Sequence, residues 1–313
     1  MRYLVRRLFT LVLTLFLVSL FTFAAFNVIP GDPVSLILGT EASADRVVVL
    51  RTHLGLDQSP GQRYLSWLSL FARGDFGTSI KYSTPVRGLI AGRLPVTLFL
   101  ALLSFVLTAV ISIPLGVYSA RKRGSIQDRA IGATMMVFLS MPNFFLGIVF
   151  VWLFGLVLKL FTPGGYVDYS TDFTRFFGYI FFPALAIALP NAAVVVKFLR
   201  GSAIGELRSD YVRTARAKGA SEDRVLYGHV LKNAMIPVIA LFGMIVAEIF
   251  SGSIIIEQVF SIPGIGRLLI SSITSRDFPM VETLVMYISL IVVLANFAVD
   301  IVIQLVDPRI KVR

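Results

Sequence analysis

Residues able to do bond-making chemistry are few in this 313-residue chain. Cysteine is absent, and the two histidines, His53 and His229, lie far apart. Thiolate ligation is excluded, and the histidines suggest no metal site. No H-E-x-x-H, paired-aspartate or Ser-Lys set occurs with suitable spacing, so an intramembrane enzyme has nothing to build on. A phosphate-binding G-x-x-x-x-G-K-[ST] loop is missing too. "GSAIGEL" and "GIGRLL" lack the Lys-Ser/Thr that would reach phosphate and magnesium. We therefore expect no catalytic residue, no metal and no resident cofactor. What remains is polar groups in apolar surroundings. Glu248 and Asp300 lie inside long apolar runs, where an ionisable side chain is costly and is read as paired or functional. Asn143 and Asn191 each follow a proline and either line a path or pack helices. The basic stretch "RTARAKGASEDRVLYGHVLKNAMIP", residues 213–237, interrupts two apolar runs.

The elements that must position these groups follow from composition. Hydrophobic residues make up 56% of the chain and charged residues 15%, against about 25% charged in soluble domains. Such a chain cannot coat itself with polar groups, and a bilayer removes the need. Six apolar segments approach the ~20 residues that cross a hydrocarbon core: 8–29, 94–118, 131–158, 179–196, 235–256 and 281–306. The third is long enough to tilt or emerge early. The fourth is the weakest, broken by Pro183, Pro190 and Asn191, and is expected to be an interior helix. The first follows Arg2, Arg6 and Arg7 but is too long for a signal-peptide core, so it is read as a retained span.

Charge sets the orientation. Basic residues crowd the N-terminus, the loop after the second segment (Arg121, Lys122, Arg123, Arg129), the loop after the fourth and the C-terminal tail. The loops after the third and fifth segments are balanced by Asp168, Asp172, Glu257 and Asp277. The positive-inside rule then predicts six spans with both termini cytoplasmic. This pattern accounts for the net charge of +11 without nucleic acid as a partner. The outer stretch from Pro30 to Arg93 is too long for a linker. It is expected to carry helices over Val47–Leu56 and Gln62–Gly74, separated at Gly55, Pro60 and Gly61. We accordingly divide the chain into 1–93, the first span with an extracytoplasmic segment, and 94–313, a five-helix core carrying the cytoplasmic loop 206–237.

That loop predicts an angled helical hairpin. Asp210–Lys218 are good helix formers, Gly219 suits a left-handed stop, and Ser221 suits an N-cap. Glu222 and Asp223 occupy the next first turn, where acids favour the dipole, and the second helix runs through Leu226, Val230 and Leu231 toward Pro237. A DNA-binding helix-turn-helix has a similar outline, but both ends here are tethered by spans. The remaining readings are a docking knob for a cytoplasmic partner and an ordinary positive-inside loop.

The stretch resembles the EAA loop of bacterial ATP-binding-cassette importer permeases, E-A-A-x-x-x-G followed by about nine residues and I-x-L-P. Ala215, Gly219 and Leu231 match it, while Arg213, Thr214, His229 and Lys232 depart from it. The form "YVRTARAKGAS…HVLKNAMIP" is similar to that of the dipeptide/oligopeptide/nickel branch. "IPGDPV", "LGLD", "GDFGTS", "RLPVTL", "SMPNFFLG", "IIEQVFSIPGIGRLL", "RDFP" and "VDPRI" continue the resemblance along nearly the whole chain.

The resemblance implies an all-α integral membrane protein of the bacterial inner membrane, with six transmembrane helices in the type I importer permease fold. It implies a second permease subunit, two ATP-binding subunits that hold ATP and magnesium, an extracytoplasmic substrate-binding protein and surrounding lipid. Substrates across this branch are dipeptides, oligopeptides, glutathione and nickel chelates. A passive channel would not need a docking hairpin, and exporters of this kind commonly fuse their ATPase. The coupling residues implied are Arg213, Thr214, Ala215, Arg216, Lys218, Gly219, Ala220, Ser221, Glu222 and Arg224. Glu248 and Asp300 either line the pathway, where Glu248 would suit a peptide's amino terminus, or bond within the bundle through a helix–helix hydrogen bond or an ion pair with a partner such as Lys197 or Arg200. Pro263, Gly264, Gly266 and Arg267 form a turn that either receives the binding protein or plugs the vestibule.

Overall fold

The computed structural model describes residues 2–28, 51–52 and 57–306. The expected helix over Val47–Leu56 falls largely outside them. The chain forms two compact units, Met1–Pro95 with Arg267–Val293, and Val96–Gly266 with Leu294–Arg313. All named elements among the described residues are helical: α1 Arg2–Val28, α2 Pro60–Ala72, α3 Val86–Arg121, α4 Ile126–Ser140 and α5 Asn143–Phe150. After a π-helical continuation of α5 over Val151–Val157 come α6 Phe173–Glu206, α7 Asp210–Ala217 and α8 Glu222–Val225. A π-helical segment, Leu226–Val230, leads into α9 Leu231–Val259, followed by α10 Ile265–Thr274 and α11 Phe278–Val306.

Five stretches are long and apolar enough to cross a membrane: Arg6–Ala25, Val86–Arg121, Phe173–Glu206, Glu222–Val259 and Phe278–Val299. The third expected span is a different object. It starts at Ile126 and is two helices bent by 101° between Ser140 and Asn143. Met141 is extended at the break (φ −98°, ψ 125°), the conformation a following proline imposes, and Pro142 then occupies the N-cap of α5. Counting the pair as one crossing gives six spans.

The fourth span is the buried one. In α6, 67% of the apolar window is inside the structure, against 11–44% for the other four. Pro183 and Pro190 both lie within this helix, and a helix enclosed by neighbours tolerates them. It also runs well past the expected 179–196, because Arg175, Lys197 and Arg200 are charged but helical. Small residues set the approach of its neighbours. A Cβ at Gly116 would meet Leu199 at 3.0 Å, and one at Gly147 would meet Ile256 at 2.7 Å, which is the close helix packing that glycine permits in membranes.

In the other unit, α2 confirms the expected amphipathic helix, starting two residues early. Ser59 caps it in a reciprocal box with Gln62, and Pro60 fills the first position, where its missing N–H costs nothing. Tyr64 of α2 hydrogen-bonds Ser19 of α1 at 2.8 Å, and Phe23 packs edge-on to Tyr64 with centroids 5.3 Å apart. The "GDFGTS" and "RDFP" stretches meet here. Asp277, fully buried, accepts a short hydrogen bond from Ser79 Oγ and further ones from the N–H groups of Ile80 (3.1 Å) and Lys81 (3.3 Å). Lys81 Nζ donates to Ser271 Oγ at 2.6 Å. Asp277→Ala orphans the buried Ser79 hydroxyl together with the N–H groups of Ile80 and Lys81, so we expect a loss of about 2–4 kcal/mol, read as a lower thermal midpoint of the purified protein. Asp277→Asn keeps an acceptor oxygen and should lose clearly less.

Candidate coupling and pathway sites

The hairpin between α6 and α9 forms as its local chemistry dictates. α7 ends at Ala217, and Gly219 takes φ +80°. The N–H of Gly219 bonds the carbonyl of Arg216 (2.9 Å) and that of Ala220 bonds Ala215 (3.2 Å), satisfying the last carbonyls of the helix. Ser221 caps α8, its Oγ accepting from the N–H of Arg224. Val212 and Val225 are fully buried and anchor the two arms. Arg213, Thr214, Arg216, Lys218, Gly219, Ser221, Glu222 and Arg224 are exposed, and Ala215 and Ala220 half-buried.

The second arm is not a separate short helix ending at Pro237. α8 passes through the π-helical segment into α9 without a break, so residues 222–259 are one 38-residue helical stretch with Pro237 inside it. The second arm of the hairpin is thus the end of a spanning helix.

Two ion pairs fix the hairpin. Arg216 holds Glu222 through two parallel bonds of 2.8 and 3.0 Å, closing one arm on the other. Arg121, at the end of α3, reaches Asp223 at 2.7 Å. Both pairs are exposed and contribute little stability; what they set is the angle of the arms and their link to a second span. Arg213 pairs with Asp210 at 3.3 Å. Tyr211 donates to Glu206 at 2.6 Å, and partial burial together with that carboxylate raises its hydroxyl above the usual phenol range. Arg216 and Glu222 are therefore occupied with each other, leaving Lys218 and Arg224 among the charged residues presented outward.

The pathway candidates separate. Glu248 is exposed on α9, aligned with Met244, Ser251 and Ile255 along one face. Asn143, half-buried, places its amide against Gly252, one turn along α9 from Glu248. Asn191 is buried and donates to the carbonyl of Ile187 at 2.9 Å, so its amide serves its own helix. Asp300 lies within α11, and its side chain is outside the description. Arg200 does not serve Glu248. It holds Asp128 through Nε and Nη2, both at 2.7 Å, and Ser119 and the N–H of Gly124 complete the set of donors.

The turn after α9 is organised by a residue that the sequence marks only as a charge. Glu257 is fully buried. It accepts from Thr97 Oγ1 at 2.6 Å, and the same hydroxyl accepts the N–H of Ile265 at 2.8 Å. A Cβ at Gly264 would fall on the Glu257 carboxylate, and one at Gly266 on the backbone of Ile254. Gly264 and Gly266 are buried, Pro263 is half-buried and Arg267 exposed. The glycines thus shape the turn, and Pro263 and Arg267 are what it shows to the outside. Among the described residues no group of three or more His, Asp or Glu could hold a metal ion.

Known proteins match this arrangement. A family model described as the binding-protein-dependent transport system inner membrane component matches residues 112–312, and one for the N-terminal part of such components matches residues 1–101. The oligopeptide transport system permease protein AppB of Bacillus subtilis is 37% identical over 99% of both chains. The glutathione transport system permease protein GsiC of Escherichia coli K12 is 35% identical, also over 99% of both. A solved structure of the MetNI methionine ABC transporter, in an inward-facing conformation, shares the fold with a TM-score of 0.58. It is 16% identical and covers 70% of this chain and 96% of its own. With a family model spanning most of its length and full-length relatives above one-third identity, the chain belongs to the inner membrane components of binding-protein-dependent transport systems.

Proposed function

We propose that this chain forms half of the translocation pathway of an ATP-driven importer of di- or oligopeptides. It works beside a second permease subunit, with two ATP-binding subunits below it and an extracytoplasmic binding protein that delivers substrate. Both termini lie in the cytoplasm, residues 1–93 supply the first span and outer segment, and residues 94–313 form the core. ATP and magnesium are held and hydrolysed by the partner subunits.

The observation that carries this reading is the hairpin. It is capped at both joints, clipped by Arg216–Glu222, tied to α3 through Arg121–Asp223, and continuous with the 38-residue helical stretch that bears Glu248. A partner that closes around residues 213–224 pushes on a stiff rod rather than on a loop, and access alternates as the rod moves. Within α9, Glu248 is exposed while Glu257 is buried, and in a span an exposed acid is accommodated by water or protein rather than lipid. Glu248 would receive the ammonium end of a peptide.

The test is co-reconstitution of the complete transporter in proteoliposomes, following uptake of a labelled dipeptide. ATP-dependent accumulation that requires the binding protein supports the reading; hydrolysis without accumulation of any peptide overturns it. Glu248→Gln is expected to raise KM for a peptide with a free amino terminus about tenfold or more, the worth of one charge-assisted hydrogen bond, and to leave an N-acetylated peptide unaffected. Glutathione is the second substrate reading, favoured by the GsiC relative at nearly the same identity. Competition by glutathione against dipeptide uptake separates the two.

A further inference from the structure

One cavity is lined by none of the hairpin residues and not by Glu248. It lies between α4 and α6 and measures about 330 Å³, within the roughly 300–1,000 Å³ of small-ligand sites. Its lining is polarised. Arg129, Lys197 and Arg200 stand at one end with Asp128 and Ser119; Met135, Met136, Leu139, Ala193 and Val196 form the wall beyond them. From Arg129 to Leu139 the wall runs about 15 Å along α4 at 1.5 Å per residue.

The charge at the polar end is not neutralised from within. Asp128 is committed to Arg200, Ser119 and Gly124, and among the described residues no acid pairs with Arg129 or Lys197. Two exposed cations therefore sit where two apolar helices emerge at a basic membrane face. Below them is a trough that the subunit does not fill. Gly132 lines the middle of it, and a Cβ there meets nothing within 4 Å.

We propose that this trough holds an acidic phospholipid. The phosphate lies between Arg129 and Lys197, and one acyl chain lies along Met135, Met136 and Leu139. Paired cations over an apolar groove between spans suit an anionic headgroup with its tail, and a free anion would use only the polar end. The proposal does not depend on what the permease carries; the orientation proposed above only places the site in the cytoplasmic leaflet.

The experiment is native mass spectrometry of the complete transporter, equilibrated in detergent with equal amounts of phosphatidylglycerol and phosphatidylethanolamine. Wild type is expected to retain phosphatidylglycerol selectively. Each cation near a membrane surface contributes about fivefold in affinity, so Arg129→Gln with Lys197→Gln should weaken retention roughly twenty-five-fold. Gly132→Phe fills the trough and should abolish the selective adduct while the complex still assembles. Equal retention of both lipids, or an undiminished adduct in Gly132→Phe, overturns the proposal. So does displacement of the adduct by millimolar glycerol phosphate, which would mean a soluble-anion site. A photoreactive phenylalanine analogue at position 132 gives an independent readout: attachment to lipid supports the site, and attachment to another subunit shows the trough to be a protein interface instead.

Discussion

Glu257→Ala is expected to lower the stability of the purified transporter by about 2–4 kcal/mol, and Gly264→Ala by about 1–3 kcal/mol or more, yet the double variant should be no less stable than Glu257→Ala alone. The reason is geometric. Glu257 is the buried acceptor for Thr97, and Thr97 in turn receives the N–H of Ile265, so one carboxylate holds both α3 and the residue that opens α10. Removing it leaves a cavity and a Thr97 hydroxyl proton without its acceptor. Gly264 packs so closely that a methyl group there would occupy the carboxylate's own position, and the same volume cannot be lost and overfilled at once. Neighbours that share a space are not additive. Ranking the thermal midpoints of wild type, the two single variants and the double variant tests this. An additive double variant would mean that the methyl and the carboxylate do not compete. Glu257→Gln, which retains an oxygen for Thr97, should fall between wild type and Glu257→Ala.

Glu257 illustrates what the sequence makes legible and what it does not. Its neighbours Pro263, Gly264 and Gly266 announce a turn because turn chemistry is local. That the turn closes on a carboxylate hydrogen-bonded to a threonine 160 residues away depends on how two helices come together. Asp277 with Ser79, 198 residues apart, and Asp128 with Arg200, 72 apart, are alike in this. Glu257 and Asp277 read in sequence as single charges in a balance, and for all three acids only tertiary register supplies the partner. Hydropathy likewise finds where a helix is apolar rather than where it ends. It truncates α6 at its charged flanks and runs straight through Met141–Pro142, where the backbone turns by 101°. The proline signal itself was present in "SMPNFFLG". By contrast, Pro183 and Pro190 pointed correctly to an enclosed helix, because a proline inside a span needs neighbours to satisfy the carbonyls it frees.

The hairpin is the most legible part, since caps and left-handed stops are local, and it carries the second large expectation. Gly219→Val should reduce ATP-dependent uptake about five- to thirtyfold while leaving assembly and the partners' basal ATP hydrolysis in place. Gly219 holds φ +80°, and a Cβ there meets nothing within 4 Å, so any cost is conformational and not a clash within this chain. A β-branched residue in the left-handed region costs about 1–2 kcal/mol or more, enough to depopulate the turn by that factor. If α7 ran on, Ser221 would lose its place as a cap, Arg216 would no longer meet Glu222, and the knob would change direction without losing a surface residue. Asparagine tolerates the left-handed conformation best among non-glycine residues. The expected order of uptake is therefore glycine, then asparagine, then alanine, then valine. That order separates two explanations which a single bulky replacement would confound. If a closely fitted partner rejects any side chain at this position, asparagine will be worse than alanine; if the backbone angle is what matters, asparagine will be better. Uptake unchanged in all three variants would remove residues 213–224 as the point where ATPase movement enters the membrane helices.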